Sequence, residues 1–352
     1  MANPFSYSQG ISMRKILPKI FIGLNLFAVT VTAQQENDFW YGDAYEAPRS
    51  MAKEINAEGL FTLGGDWLYW TVEQEKMEFA VNVTASLVDE TFTINSDIIR
   101  PKFKEHSGYR IYADFVNPCR DWKIQAAYTH MPTSAGVRVS DNPLDVTMDF
   151  ISLFNTNFPL LNIIAAATFD SVGGQWNAKI NYLDIDAARI ISLNDRFQIT
   201  PHMGIRALWS NQKFIIDGEA TDLSFVANLK GKMSGIGIEG GLWGDVCIAE
   251  GFSLVGHIGG SLIYTKFRNH GTFDGNDAGS LVHIQYNDSM YKDIAMVDSF
   301  VGLRYATRLS QVGISLHVGW EQHIIFDTNQ FSVSGDGNMT LQGLTLGGGV
   351  IF

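Results

Sequence analysis

Charge, cysteine, proline and long apolar runs are all scarce in this 352-residue chain. Charged residues make up 18 %, against about 25 % in ordinary soluble domains. Past the N-terminal region, no stretch of about eighteen apolar residues occurs, so no helix there would cross a bilayer. The charge balance is acidic, with 25 Lys and Arg against 37 Asp and Glu, a net −12 and a pI of about 5.0. That balance excludes a nucleic-acid binder, whose partner demands a basic face. Two cysteines, Cys119 and Cys247, give no zinc pattern. They stand either as unpaired thiols or as a disulfide, within or between chains. With only 9 prolines, the chain lacks the composition of a disordered segment. Gly347-Gly348-Gly349 is followed by no Lys-Ser/Thr pair, so no phosphate loop is present.

Apolar and aromatic residues are plentiful instead. Hydrophobic residues reach 46 %, with 34 Gly, 23 Phe, 12 Tyr and 8 Trp. Apolar bulk without apolar runs must be dispersed along the chain, and alternation along strands disperses it.

Residues 13–33 have the three parts of an export signal. Arg14, Lys15 and Lys19 form a positive region, Ile20 to Val31 an apolar region too short to span, and Val31-Thr32-Ala33 a small-residue cleavage site. The expected organisation is a signal peptide over 1–33, with Met13 as a candidate start and cleavage after Ala33. A periplasmic segment over 34–58 and a strand-rich domain over 59–352 follow. The implied compartment is oxidising, which keeps the disulfide alternative open.

The strongest signal is a period of two. In 312–327 the even positions are Val312, Ile314, Leu316, Val318, Trp320, Gln322, Ile324 and Phe326. The odd ones include Gly313, Ser315, His317, Gly319, Glu321 and His323. A strand sends successive side chains to opposite faces, so this is a strand between two unlike environments. It runs far beyond the usual five or six residues and meets the roughly nine to eleven that a tilted membrane strand needs. Similar alternation recurs in 197–210, 234–247, 252–265 and 298–309, with Val255 and Ile263 as exceptions. In 176–193 the apolar face switches near Tyr182, as a β-bulge would make it. Further strands are expected at 60–72, 106–117 and 121–131.

Short turns at 117–121, 194–196, 249–251 and 310–311 alternate with long connections at 73–100, 132–171, 211–231, 268–292 and 328–338. Short turns on one rim and long loops on the other are the pattern of an outer-membrane barrel. The expected fold is all-β, a transmembrane antiparallel up-and-down barrel of about ten strands, or twelve if a hairpin hides in a loop. Phe197 with Trp209 and Phe252 with Tyr264, each twelve residues apart, fit aromatic girdles. The closing strand ends on Phe352, the type of residue read by the barrel-assembly machinery. The apolar stretch within 150–164 is expected to fold into the mouth or pack on the rim.

Alternation places one set of charged residues inward: Asp66, Arg110, Lys123, Lys179, Asp184, Asp186, His202, Arg206, Glu239, Asp245, His257, Arg304, Arg308, His317, Glu321 and His323. A mid-membrane Arg or Lys facing lipid would cost about 2–4 kcal/mol, so these belong to a lumen.

Several segments carry a family likeness. They are Gly65-Asp66-Trp67-Leu68-Tyr69-Trp70, Phe103-Lys104-Glu105-His106-Ser107-Gly108-Tyr109-Arg110, Trp122 with Tyr128-Thr129-His130, Trp176 with Asp184-Ile185-Asp186, and Pro201-His202-Met203-Gly204-Ile205-Arg206. The chain resembles the Legionella-type major outer membrane protein family, described as pore-forming and shared with chlamydia-like bacteria. The resemblance implies an outer-membrane barrel with pore activity and brings no catalytic residues.

The expected function is therefore passive diffusion of ions and small hydrophilic solutes through a charged lumen, with no enzyme activity, cofactor or metal. Outer-membrane lipid and, during biogenesis, the assembly machinery are the expected partners. A homo-oligomer or a disulfide-linked envelope partner stays open. Two rivals remain. One is a structural or adhesive barrel whose lumen is sealed by ion pairs, since ten strands lie near the filled end of the size range. The other is an outer-membrane hydrolase built on His257, His317, His323 and Glu321.

Overall fold

The computed structural model describes residues 60–88, 91–117, 121–140, 146–147, 169–309, 312–329, 331 and 337–352. The export signal, the 34–58 segment, Cys119 and the apolar stretch 150–164 lie outside them. In chain order the strands are β1 (Leu60–Gln74), β2 (Ala80–Val88), β3 (Thr91–Ile99), β4 (Glu105–Asn117), β5 (Trp122–Ser140), β6 (Val146–Thr147), β7 (Ser171–Arg189), β8 (Ile191–Ser192), β9 (Phe197–Glu219), β10 (Leu223–Ala249), β11 (Phe252–Asp277), β12 (Ser280–Leu309), β13 (Val312–Ile325) and β14 (Met339–Ile351).

Ten of them close a ring in the order β1-β4-β5-β7-β9-β10-β11-β12-β13-β14 and back to β1. Every neighbouring pair is antiparallel. The hairpin β2–β3, which would have made twelve strands, pairs with β6 in a separate sheet instead. Phe61 and Phe352 exchange backbone hydrogen bonds beside the β1–β14 seam.

The stagger of the ring follows from its register. Stepping from Glu73 across each pairing through Thr340, Ile324, Val297, Gly260, Gly240, Met203, Ala187, Ile124 and Phe115 leads back to Phe61, twelve residues away. With about 3.3 Å per residue and about 4.8 Å between strands, ten strands with that stagger tilt by about 40° and enclose a backbone radius of roughly 10 Å. Side chains of ordinary size fill such a cylinder.

The long connections expected at 211–231 and 268–292 are strands instead. β9 turns into β10 over residues 220–222, and β11 turns into β12 at Ala278 and Gly279. Both turn residues of the second hairpin have positive φ, 44° and 90°, the combination that matches the twist of a two-residue hairpin. These strands outrun any bilayer. At about 40° of tilt the 30 residues of β12 rise roughly 75 Å, against an apolar band of about 25 Å.

The excess length changes the environment along each strand. Near the short turns the outer face is apolar: Ile205, Ile238, Leu262, Val301, Leu303, Leu316, Val318 and Leu346 are all exposed there. Ile238 and Leu262 are 65 % and 62 % accessible, which only lipid makes tolerable in such number. Farther toward the long connections the faces exchange character. Outward positions become Asn211, Lys213, Lys230 and Lys232, while inward ones become Trp176, Phe214, Leu229 and Phe267.

That exchange corrects the reading of 176–193. No bulge exists near Tyr182, because the β5–β7 and β7–β9 registers run unbroken through it. Trp176, Ile180 and Tyr182 share the inward face with Asp184 and Asp186. The strand leaves the membrane at this height, so the outer environment changes from lipid to water. Lys179 is corrected by the same fact. It points out of the barrel and is exposed, not lumenal.

Candidate functional site: a charged belt beneath an apolar plug

Inside the lipid-facing band, alternation delivers ionisable side chains to the lumen, and the small radius brings them into contact. Arg110 on β4 reaches Asp66 on β1 (3.2 Å) and Glu321 on β13 (2.5 Å). Asp66 also faces His317 at 3.1 Å. His323 sits between two carboxylates, with Nδ1 at 2.6 Å from Asp298 and Nε2 at 2.9 Å from Glu321. Carboxylates only accept, so both ring nitrogens donate and the ring is the doubly protonated form. Arg206 on β9 gathers Asp184 (2.7 Å), Glu239 (2.8 Å) and Asp298 (2.6 Å). One linked network thus runs His317–Asp66–Arg110–Glu321–His323–Asp298–Arg206–Asp184 and Glu239, crossing the lumen between opposite walls.

The belt holds more acidic than basic side chains: Asp66, Asp184, Asp186, Glu239, Asp298 and Glu321 against Arg110, Arg206, His317 and His323. Its centre is almost inaccessible: the Arg206, Asp298 and Glu239 side chains are 7 %, 5 % and 4 % exposed. Pairing offsets much of the desolvation cost of burying such charge. One oxygen of Asp186, both oxygens of Glu239 and Nδ1 of His202 are buried without a hydrogen bond among the described residues, although Glu239 Oε2 keeps its ion-pair contact with Arg206.

On the short-turn side the lumen holds further ionisable and aromatic groups. His202 and His257 lie with ring centres 5.1 Å apart, and Trp243 stacks on His257 at 4.3 Å. Lys123 pairs with Asp114 (3.0 Å), and Arg304 pairs with Asp245. Arg308 has inward register at the exposed mouth. Cys247 also faces inward there, and among the described residues it has no disulfide partner.

The other side is closed. Directly above the belt, Trp70, Tyr182, Leu68, Ile180 and Met131 are fully buried, and above these lie Trp176, Phe214, Phe267, Phe79 and Met77. Belt and plug are joined. The Arg110 guanidinium lies 5.8 Å from the Trp70 ring centre, and that of Arg206 lies 5.3 Å from Tyr182. Trp70 donates to Thr345 (3.2 Å), which donates to Glu321 (2.8 Å). Tyr182 Oη lies 3.2 Å from His323 Nε2.

Of the residues placed inward by alternation, the structure brings Asp66, Arg110, Asp184, Arg206, Glu239, His317, Glu321 and His323 into one network. Asp186, His202 and His257 lie nearby, Lys123, Asp245, Arg304 and Arg308 lie toward the mouth, and Lys179 lies outside. Asp298 belongs to the network's centre, and the alternation in 298–309 marked it as inward. The plug was not foreseen, because an apolar residue facing a packed interior looks like one facing lipid.

A closed antiparallel ring, an oily outer band and charge confined within define an integral outer-membrane β-barrel protein. The model of the Legionella pneumophila major outer membrane protein precursor family matches residues 56–352, and this chain belongs to that family. Curated proteins yield no match. Solved structures similar to it include a major outer membrane protein from Thermus thermophilus, at 11 % identity and a TM-score of 0.36, covering 84 % of this chain and 100 % of that one. The outer membrane protease OmpT of Escherichia coli matches at 11 % identity and 0.37, covering 86 % and 99 %. A mutant of the TodX monoaromatic hydrocarbon channel matches at 8 % and 0.35, covering 87 % and 92 %. Likeness at these scores transfers no activity.

Proposed function

We propose that this outer-membrane barrel is a cation-selective pore for ions and small hydrophilic solutes, held closed in the present conformation. The observation that carries the reading is the charge imbalance of the mid-lumen belt. Six acidic side chains facing four basic ones, Arg110, Arg206, His317 and His323, form a site that attracts cations and repels anions. The plug is the gate, because an apolar constriction above a polar one blocks ions by excluding water.

A sealed structural or adhesive barrel is the second reading, favoured by the depth of apolar packing above the belt. Catalysis has less support. Both nitrogens of His323 are committed to carboxylates, and Glu321 is committed to Arg110 and Thr345, so neither is disposed to activate a nucleophile.

Planar-bilayer recording of refolded protein, with and without Phe214→Ala plus Trp176→Ala, separates the readings. The pore reading expects steps that favour potassium over chloride and become frequent when the plug is trimmed. A trimmed barrel that is folded yet silent assigns the sealed function.

A further inference from the structure

One group of cations has no role in the lumen. Lys179, Lys213, Lys230 and Lys232 all point out of the barrel, on the contiguous strands β7, β9 and β10. The register places them in two adjacent rows. Lys179, Asn211, Lys232 and Arg268 form one, and Asn177, Lys213 and Lys230 form the next, farther from the short turns. The four lysines line a single groove of about 690 Å³, floored also by Ser134 and Asn177.

Two features say what the groove accepts. Lys213 and Lys230 are direct cross-strand partners, and like charges placed opposite each other repel. Among the described residues, none of the four lysines has a carboxylate partner, and Asp217, the nearest acidic residue above on β9, is taken by Arg138. The second feature is height. The row just below holds Trp209 and Lys266, and Tyr128 stacks on Trp209 at 6.0 Å. Below that come Ile185, Ile205, Ile238 and Leu262, which face lipid chains. Aromatic residues of this kind mark the level where acyl chains meet headgroups. The groove therefore lies at headgroup height, on the long-connection side that faces the cell exterior.

We propose that this groove binds the phosphorylated headgroup of an outer-leaflet glycolipid, its phosphates held by Lys179, Lys213, Lys230 and Lys232. Asn177, Asn211 and Ser134 supply hydrogen bonds to sugar hydroxyls. Neighbouring strands are about 4.8 Å apart, so the ammonium groups span a distance suited to more than one phosphate on one headgroup.

The test uses the refolded full barrel in detergent, with bisphosphorylated lipid A as the probe, followed by native mass spectrometry. Dephosphorylated lipid A and inorganic phosphate are the comparison ligands. The expected result is that wild type retains lipid A, ignores the dephosphorylated lipid, and is not displaced by millimolar phosphate. Converting all four lysines to Gln should weaken retention at least tenfold, and converting them to Arg should preserve it. Heat-modifiable gel migration reports whether each variant is folded, and the exposed pair Lys230→Gln plus Lys232→Gln substitutes if the fourfold variant is not. Equal retention of both lipids, unchanged retention by the folded Gln variants, or displacement by free phosphate would each overturn the assignment.

Discussion

Arg206 gathers three acidic side chains, more than any other member of the belt, and replacing it with Met is the sharpest test of how the belt is held. The guanidinium contacts three carboxylates at 2.6–2.8 Å from a position only 7 % exposed. Met fills similar volume but leaves Asp184, Glu239 and Asp298 facing one another without a counter-charge. Removing one partner of a buried ion pair costs about 3–5 kcal/mol, and three stranded carboxylates place this variant toward the upper end. Taking a urea dependence of about 3 kcal/mol per molar, the unfolding midpoint should fall by more than about 1 M. Tryptophan fluorescence of the barrel refolded into lipid vesicles measures it. The deficit should shrink on acidification, because protonated carboxylates no longer repel. It should also shrink when Asp298→Asn is added, since Asn keeps an acceptor for His323 while removing a charge. A midpoint within about 0.3 M of wild type at neutral pH, worth only about 1 kcal/mol at that slope, would refute the idea that Arg206 neutralises the belt.

Other perturbations follow from the same geometry. Leu262→Arg places a charge on the lipid-facing band and should cost about 2–4 kcal/mol. Ser224→Arg, higher on the outer face and paired across the strands with Glu219, should change the same urea midpoint by almost nothing. Phe214→Ala empties part of the plug and should cost about 3–5 kcal/mol, besides raising conductance in a bilayer. Gly237→Ala should destabilise by about 1–3 kcal/mol, because a Cβ there would stand 1.9 Å from the Leu262 carbonyl oxygen and the backbone must move. Heat-modifiable migration at graded temperatures reads the last two.

The alternation of Val312 to Phe326 identified both the strand and its faces, because lipid and an ion-lined interior differ sharply in polarity. The same logic placed Asp66, Arg110, Arg206 and Glu239 inward. It failed at Trp176, Ile180 and Tyr182, where both surroundings of the strand change at once. Above the membrane, water lies outside and packed side chains inside, so the polarity pattern inverts while the register does not. Lys179 was misplaced for the same reason, and so were the strand extensions at 211–231 and 268–292. Nothing in a single strand's periodicity distinguishes an inversion caused by height from one caused by a bulge. Only the pairing to β5 and β9 does that.

The inversion also explains why the barrier and the charged belt lie at different heights. Within the bilayer the outer wall consumes the apolar side chains, and the lumen is left with the polar ones. A ring of ten strands is too narrow to leave those groups in bulk water, so they neutralise one another in a network. Beyond the bilayer the wall faces water, apolar side chains have only the interior left to occupy, and a plug becomes the stable arrangement. Trp70 and Tyr182 stand where the two regimes meet, each against a guanidinium of the belt. Any rearrangement that opens the plug must therefore also move Arg110 and Arg206, so the belt and the plug are mechanically coupled. Under the proposed pore function, Glu321→Gln, at the residue that anchors Arg110 and is joined through Thr345 to Trp70, should change both the opening frequency and the potassium-to-chloride preference in planar-bilayer recordings.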